Sequence, residues 1–136
     1  MTRTRVLLLA TLGLLGGGAL VIYVLINIPP TTDGQTLDPV ALMLGFAGVF
    51  LFATSGGVLI ALFLHRRWPA LAGRANARRG RPKAPPVEPA VRQGILFGLA
   101  VVTLLALAMV GVLDVAFFIV TFLVAGLIEA YAQTRK

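Results

Sequence analysis

The amino-acid sequence predicts an all-α membrane protein with four transmembrane helices, arranged as an antiparallel bundle of two helical hairpins. Of its 136 residues, 58% are hydrophobic and only 12% are charged, whereas about a quarter of the residues in soluble domains are charged. Long runs lack any charged side chain, and the Lys and Arg residues cluster between those runs. So much apolar surface requires lipid as its solvent, so we expect residues 1–136 to form a single membrane domain.

The first span is predicted at residues 6–28, where no side chain is charged. A helix needs about 20 apolar residues to cross a bilayer. Because Arg3 and Arg5 precede this run, a cleaved signal peptide is the alternative. The apolar cores of signal peptides usually have about 7–15 residues and end at small residues, whereas this run ends in the sequence INIPP. We therefore expect an uncleaved first helix.

The second span is predicted at residues 40–64, directly after Asp38 and Pro39. This pair is a helix start signal, because the acidic side chain accepts a hydrogen bond from the first turn and proline needs no partner there. Residues 65–91 then form a basic segment rich in Pro, Ala and Arg. Such a segment buries too little apolar surface to offset the entropy of ordering, so we expect a disordered cytoplasmic loop.

The third and fourth spans are predicted at residues 93–110 and 115–132. The whole apolar run, residues 95–131, would be about 55 Å long as one helix at 1.5 Å per residue, which exceeds a single crossing. Gly111 is suited to end one helix and Asp114 to cap the next. A tight turn at these residues therefore divides the run into two helices.

The distribution of charge predicts the orientation. With four spans, all 12 Lys and Arg residues lie on one side of the membrane, and Asp33, Asp38 and Asp114 lie on the other. The positive-inside rule makes the basic side cytoplasmic, so both termini are expected there, in a bacterial-type inner membrane. A three-span chain would need an over-long helix and would place Arg135 and Lys136 outside.

Within the basic loop, residues 78–83 have the sequence RRGRPK, which is similar to the AT-hook pattern that binds DNA. A topology signal that also contacts anionic lipid headgroups explains the same charge, since each basic residue contributes about 1 kcal/mol near such a surface. We expect lipids rather than nucleic acid as the partner, and a membrane-tethered lipid or nucleic-acid sensor is the alternative. The residues assigned to this role are Arg66, Arg67, Arg74, Arg78, Arg79, Arg81 and Lys83.

Small residues at four-residue spacing predict close helix packing in three of the spans. A ladder of this kind forms a shallow groove in which another backbone comes close. The residues are Gly13, Gly17, Ala41, Gly45, Ala53, Gly57, Ala61, Gly94 and Gly98. The pattern leaves open whether these faces pack within one chain or between chains, in a homo-oligomer or a larger membrane complex.

Two acidic residues are candidates for a functional role: Asp114, in the turn between the last two predicted spans, and Glu129, in the last span. Asp114 is explained as a cap, and Glu129 is level with Arg92, so we expect the two to form an interfacial ion pair. Coupling of a proton or cation by Glu129 is the alternative. The chain has no cysteine and one histidine, and no nucleophile is paired with a base. We therefore expect no enzyme activity, metal or cofactor.

The sequences VRQG at residues 91–94 and LIEAYAQTRK at residues 127–136 resemble those of uncharacterised small four-span bacterial membrane proteins. That resemblance implies no activity. Small multidrug transporters have a similar size, but the carboxylate that is essential in their first helix has no counterpart in residues 6–28. We expect a non-enzymatic accessory, assembly or scaffold subunit that packs through Gly and Ala faces. A small oligomeric transporter or channel subunit is the alternative.

Overall fold

The computed structural model describes residues 2–28, 31–32, 36–68 and 87–135. Within these residues there are four α-helices, each long and apolar enough to cross a membrane, which confirms the four-helix class. They are α1 Arg3–Asn27, α2 Pro39–Arg67, α3 Val87–Met109 and α4 Val115–Thr134. Two short strands, β1 Thr31–Thr32 and β2 Thr36–Leu37, pair antiparallel between α1 and α2.

The predicted caps at the starts of α2 and α4 are confirmed. The Val40 backbone N–H donates to Asp38 Oδ1 at 2.9 Å, and Pro39 occupies the first turn. The Val115 backbone N–H donates to Asp114 Oδ1 at 2.6 Å. Each aspartate thus satisfies one of the backbone donors that a helix leaves unpaired at its start.

The turn between α3 and α4 depends on Gly111, whose φ of 75° is in the left-handed region that side chains rarely adopt. The Gly111 N–H donates to the carbonyl of Ala108 at 3.1 Å, and the Val112 N–H donates to the carbonyl of Leu107 at 3.0 Å. These two bonds form a Schellman motif, which ends a helix by satisfying its last carbonyls. The predicted division of the long apolar run at Gly111 is confirmed.

The helices on either side of the basic loop are longer than the predicted spans. α2 continues through Arg67 and α3 begins at Val87, so residues 65–67 and 87–91 are helical rather than disordered. The physical reason is that charged residues end an apolar run without ending a helix, because arginine is a good helix former. Pro89 lies in the first turn of α3, where its missing N–H removes no bond. Residues 69–86 lie outside the described part.

Contacts between the helices show that α1 and α3 both pack antiparallel on α2. Along α1 and α2, Gly13 lies against Ser55 and Gly45 lies near Val24. Between α2 and α3, the contacts of Gly94 and Gly98 with α2 likewise run in opposite directions along the two helices. A small core joins all three helices. Its buried residues are Val6, Ala10, Val58, Ala61, Leu62 and Ala90.

α4 lies outside this core and contacts chiefly α3. None of the described residues of α4 is buried. The rings of Phe97 and Phe122 join the two helices with centroids 6.4 Å apart, and Phe118 lies 4.9 Å from Phe122 on α4 itself. α4 is therefore attached to one side of a three-helix core.

The antiparallel order gathers the basic residues of the described part of the chain at one end of the molecule. α1 and α3 begin, and α2 and α4 end, at the same end, which we call the basic end. Every Lys or Arg in the described part of the chain lies at or within two helical turns of this end. They are Arg3, Arg5, Arg66, Arg67, Arg92 and Arg135. Asp38 and Asp114 lie at the opposite end.

Replacing Gly111 by alanine is expected to lower the free energy of unfolding by about 1–2 kcal/mol, because a Cβ is strained in the left-handed region. Denaturant titration in detergent micelles, followed by circular dichroism, measures this change. The control is Gly126→Ala in α4, where an added Cβ meets nothing within 4 Å and helix propensity favours alanine. Equal effects of the two substitutions would contradict the role given to Gly111.

Candidate functional site

The closest approach of α1 to α2 is made through glycine. A Cβ added at Gly17 would lie 2.5 Å from the backbone N of Phe52 and 2.9 Å from the carbonyl oxygen of Gly48. One added at Gly48 would lie 2.9 Å from Cγ2 of Val21. A Cβ at Gly13 would overlap the hydroxyl of Ser55. Backbone meets backbone at this crossing, and no larger residue fits.

The crossing of α2 with α3 is built in the same way. A Cβ added at Gly94 would lie 2.7 Å from the backbone N of Val58 and 2.8 Å from the carbonyl oxygen of Thr54. One added at Gly57 would lie 3.1 Å from Cα of Gly94, and one at Gly98 would overlap Oγ1 of Thr54. α3 therefore presents a glycine face to the backbone of α2.

The small residues predicted for packing meet neighbours of the same chain at five glycines. These are Gly13, Gly17, Gly57, Gly94 and Gly98. Gly45 has only an ordinary contact with Val24, at 3.9 Å, and Ala41, Ala53 and Ala61 are buried. Sequence reasoning missed Gly48, which is off the four-residue ladder of α2. The sequence feature that could have indicated Gly48 is its position as a second glycine, three residues after Gly45.

Arg92 and Glu129 are brought together as a bidentate ion pair between α3 and α4. Arg92 Nε donates to Glu129 Oε2 at 2.7 Å, and Arg92 Nη2 donates to Glu129 Oε1 at 2.8 Å. Two glutamines also donate to Oε1, Gln93 at 3.1 Å and Gln133 at 2.9 Å. The side chains of Arg92 and Glu129 are 26% and 14% exposed. Charge-assisted bonds of this geometry are among the stronger ones in proteins.

The remaining basic residues predicted for lipid contact fall into two groups. Arg66 and Arg67 form the last turn of α2 and are exposed, where their charge also complements the helix dipole. Arg74, Arg78, Arg79, Arg81 and Lys83 lie outside the described residues.

Thr54 differs from three other threonines in the helices. Thr11, Thr103 and Thr121 donate to the carbonyl four residues earlier, at 2.8, 2.8 and 2.7 Å. Thr54 Oγ1 is buried and has no hydrogen-bond partner in the described part of the chain, and the same is true of Nδ1 of His65. The Thr54 hydroxyl therefore does not bond back to its own helix as these three do, and its Oγ1 faces Gly98 instead.

In the ranges that the structure describes, no three His, Asp or Glu residues lie close enough together to hold a metal ion. Comparisons with protein families, with curated proteins and with solved structures found no match to this chain. The resemblance of residues 91–136 to small bacterial membrane proteins therefore stays an expectation.

Gly94→Val is expected to lower the free energy of unfolding by about 2 kcal/mol or more, because the added atoms overlap the backbone of α2. The matched control is Gly16→Val in α1, where an added Cβ meets nothing within 4 Å. We expect that substitution to change stability by less than about 0.5 kcal/mol. Denaturant titration of both variants measures these changes. Similar losses of stability in the two variants would contradict the close packing of Gly94 against the backbone of α2.

A double-mutant cycle tests the ion pair. Arg92→Gln and Glu129→Gln are each expected to destabilise the protein, and their coupling energy should be about 1–2 kcal/mol, because each leaves the other charge without its partner. Combining Glu129→Gln with Arg135→Gln is the control, and its two effects should add. A coupling energy near zero between Arg92 and Glu129 would show that the pair does not hold α4 to α3.

Proposed function

We propose that this chain is a multi-pass integral membrane protein whose four helices all span the bilayer. The observation that carries the proposal is the outer surface of the helices. Large apolar side chains are exposed along them, including Leu15 at 66%, Ile26 at 74% and Leu127 at 67%. In water such a surface would drive aggregation, whereas lipid tails are its natural solvent.

In this proposal the antiparallel contacts continue from α1 to α4, so that the bundle consists of two helical hairpins, α1–α2 and α3–α4, inserted side by side. The basic end faces the cytoplasm of a bacterial-type cell, because basic residues are retained on that side during insertion. The start of α1 and the end of α4 both lie at this end, so both termini are cytoplasmic.

The biochemical role we propose is that of a non-enzymatic accessory, assembly or scaffold subunit. Two features support it. The glycine faces of α1, α2 and α3 are used inside the chain, where they bring the helix backbones close together and leave no space for larger side chains. α4 buries none of its described residues, so its surface is available to lipid or to a neighbouring subunit. Blue-native gels and crosslinking in native membranes test this role, and a strict monomer with no co-purifying partner would contradict it.

The alternative is a small oligomeric transporter or channel subunit, with Glu129 as its titratable group. The bonds that Glu129 accepts from Arg92, Gln93 and Gln133 favour a structural carboxylate over a mobile one. Glu129→Gln is therefore expected to leave proton or cation flux through proteoliposomes unchanged while lowering stability. A flux that is present in the native chain and lost in this variant would favour the transporter.

Cysteine labelling tests the topology, and the natural chain has no cysteine to interfere. Single substitutions at Thr2, Trp68 and Arg135 should react with a membrane-impermeant maleimide only from the cytoplasmic side. Ile28→Cys and Leu113→Cys should react only from the opposite side. Labelling of Trp68→Cys and Arg135→Cys from different sides would contradict four spans.

A further inference from the structure

A groove runs between α1 and α3 and opens toward the basic end. It has a volume of about 720 Å³ and is lined by Val6 of α1 and by residues of α3 that include Val91 and Ile95. We call it the α1–α3 groove. A smaller cavity of about 190 Å³ adjoins it, shares Val6 and Val91 with its lining, and reaches Thr54 of α2.

The lining of the α1–α3 groove is apolar along most of its length. Glu88 and Arg92 are its charged lining residues. Beyond Arg92 the groove continues to Leu96, four residues or about 6 Å further along α3. The groove thus starts among charged groups and continues along the apolar part of α3, as the first part of a lipid acyl chain does.

The net charge of the basic end favours an anionic headgroup. The charges of Arg92 and Glu129 offset one another in their ion pair, and Glu88 lies one helical turn before Arg92. Arg3 and Arg5, at the start of α1, and the two arginines that end α2 then leave an excess of positive charge at this end. The backbone N–H groups at the starts of α1 and α3 add to it. A zwitterionic headgroup, which has no net charge, is attracted less strongly by this excess of positive charge.

We propose that the α1–α3 groove binds one anionic phospholipid. The phosphate lies near Arg3 and Arg5 at the start of α1, and an acyl chain lies along Val91 and Ile95. This site rests on the proposed membrane-spanning function, and it adds a particular location and headgroup charge to the general attraction of basic residues for lipid. The alternative occupant is bulk lipid, which would enter the groove without any preference for one headgroup.

The test uses tryptophan quenching by brominated lipids in mixed bilayers. Trp68, the one natural tryptophan, is replaced by phenylalanine, and a reporter is placed in the groove by Ile95→Trp, where the natural side chain is 41% exposed. The control reporter is Leu123→Trp on α4, where the natural side chain is 59% exposed. Leu9→Trp, which lines the adjoining smaller cavity, serves as a second reporter if Ile95→Trp folds poorly.

We expect brominated phosphatidylglycerol to half-quench the groove reporter at a mole fraction about fivefold lower than brominated phosphatidylcholine does. On α4 the two lipids should quench equally. In the protein that carries the groove reporter, Arg5→Gln should remove most of the preference for phosphatidylglycerol. Arg135→Gln, at the end of α4, should leave that preference intact.

Two outcomes would overturn the proposal, and they differ from one another. Equal quenching of the groove reporter by the two lipids shows that only bulk lipid occupies the groove, while the membrane-spanning function stands. Failure of both lipids to quench the α4 reporter shows that α4 is not in the bilayer, which overturns the membrane function and the lipid site together.

Discussion

The constraint on which the structure depends follows from the proposed bilayer: helices surrounded by lipid gain little from burying apolar side chains against one another. Lipid tails are as apolar as leucine, so association has to come from dispersion contacts between closely packed atoms and from interhelical polar bonds. In this chain the first source operates where Gly17 meets Gly48 and where Gly94 meets Val58. At both places backbone lies against backbone, and the absence of a Cβ permits the approach. The antiparallel core of α1, α2 and α3 follows from these two crossings.

α4 is held to α3 chiefly by the second source, interhelical polar bonds. Its bidentate bonds to Arg92 act at the basic end, and the rings of Phe97 and Phe122 meet nearer the middle of the helices. Because α4 offers no glycine to its neighbour at close range, its attachment depends on a few side chains rather than on a continuous backbone contact. The molecule therefore combines a close-packed core with one loosely packed helix. The same arrangement leaves a groove between α1 and α3, since both helices pack chiefly on α2.

Much of the fold could be predicted from the sequence, because the strongest signals in a chain of long apolar helices are local. Apolar runs indicated the four helices, and Asp38, Gly111 and Asp114 marked helix ends through backbone chemistry that needs no tertiary contact. The extension of α2 and α3 beyond the apolar runs was not predicted, because the end of an apolar run does not mark the end of a helix. Gly48 and the unpaired hydroxyl of Thr54 were missed because their roles depend on which residues of the facing helix lie opposite, and periodicity along one helix does not contain that information.

The central claim is that the glycine faces pack within one chain in a bilayer, and an engineered disulfide tests it most directly. A Cβ built at Gly13 lies 3.4 Å from Cβ of Ser55, close to the separation of about 3.5–4.5 Å that a disulfide requires. Gly13→Cys combined with Ser55→Cys, reconstituted at low protein-to-lipid ratio and oxidised, should form an intramolecular disulfide and remain a monomer on a non-reducing gel. Gly16→Cys with Ser55→Cys should not cross-link. A covalent dimer in the first pair, or free thiols after oxidation, would contradict the account.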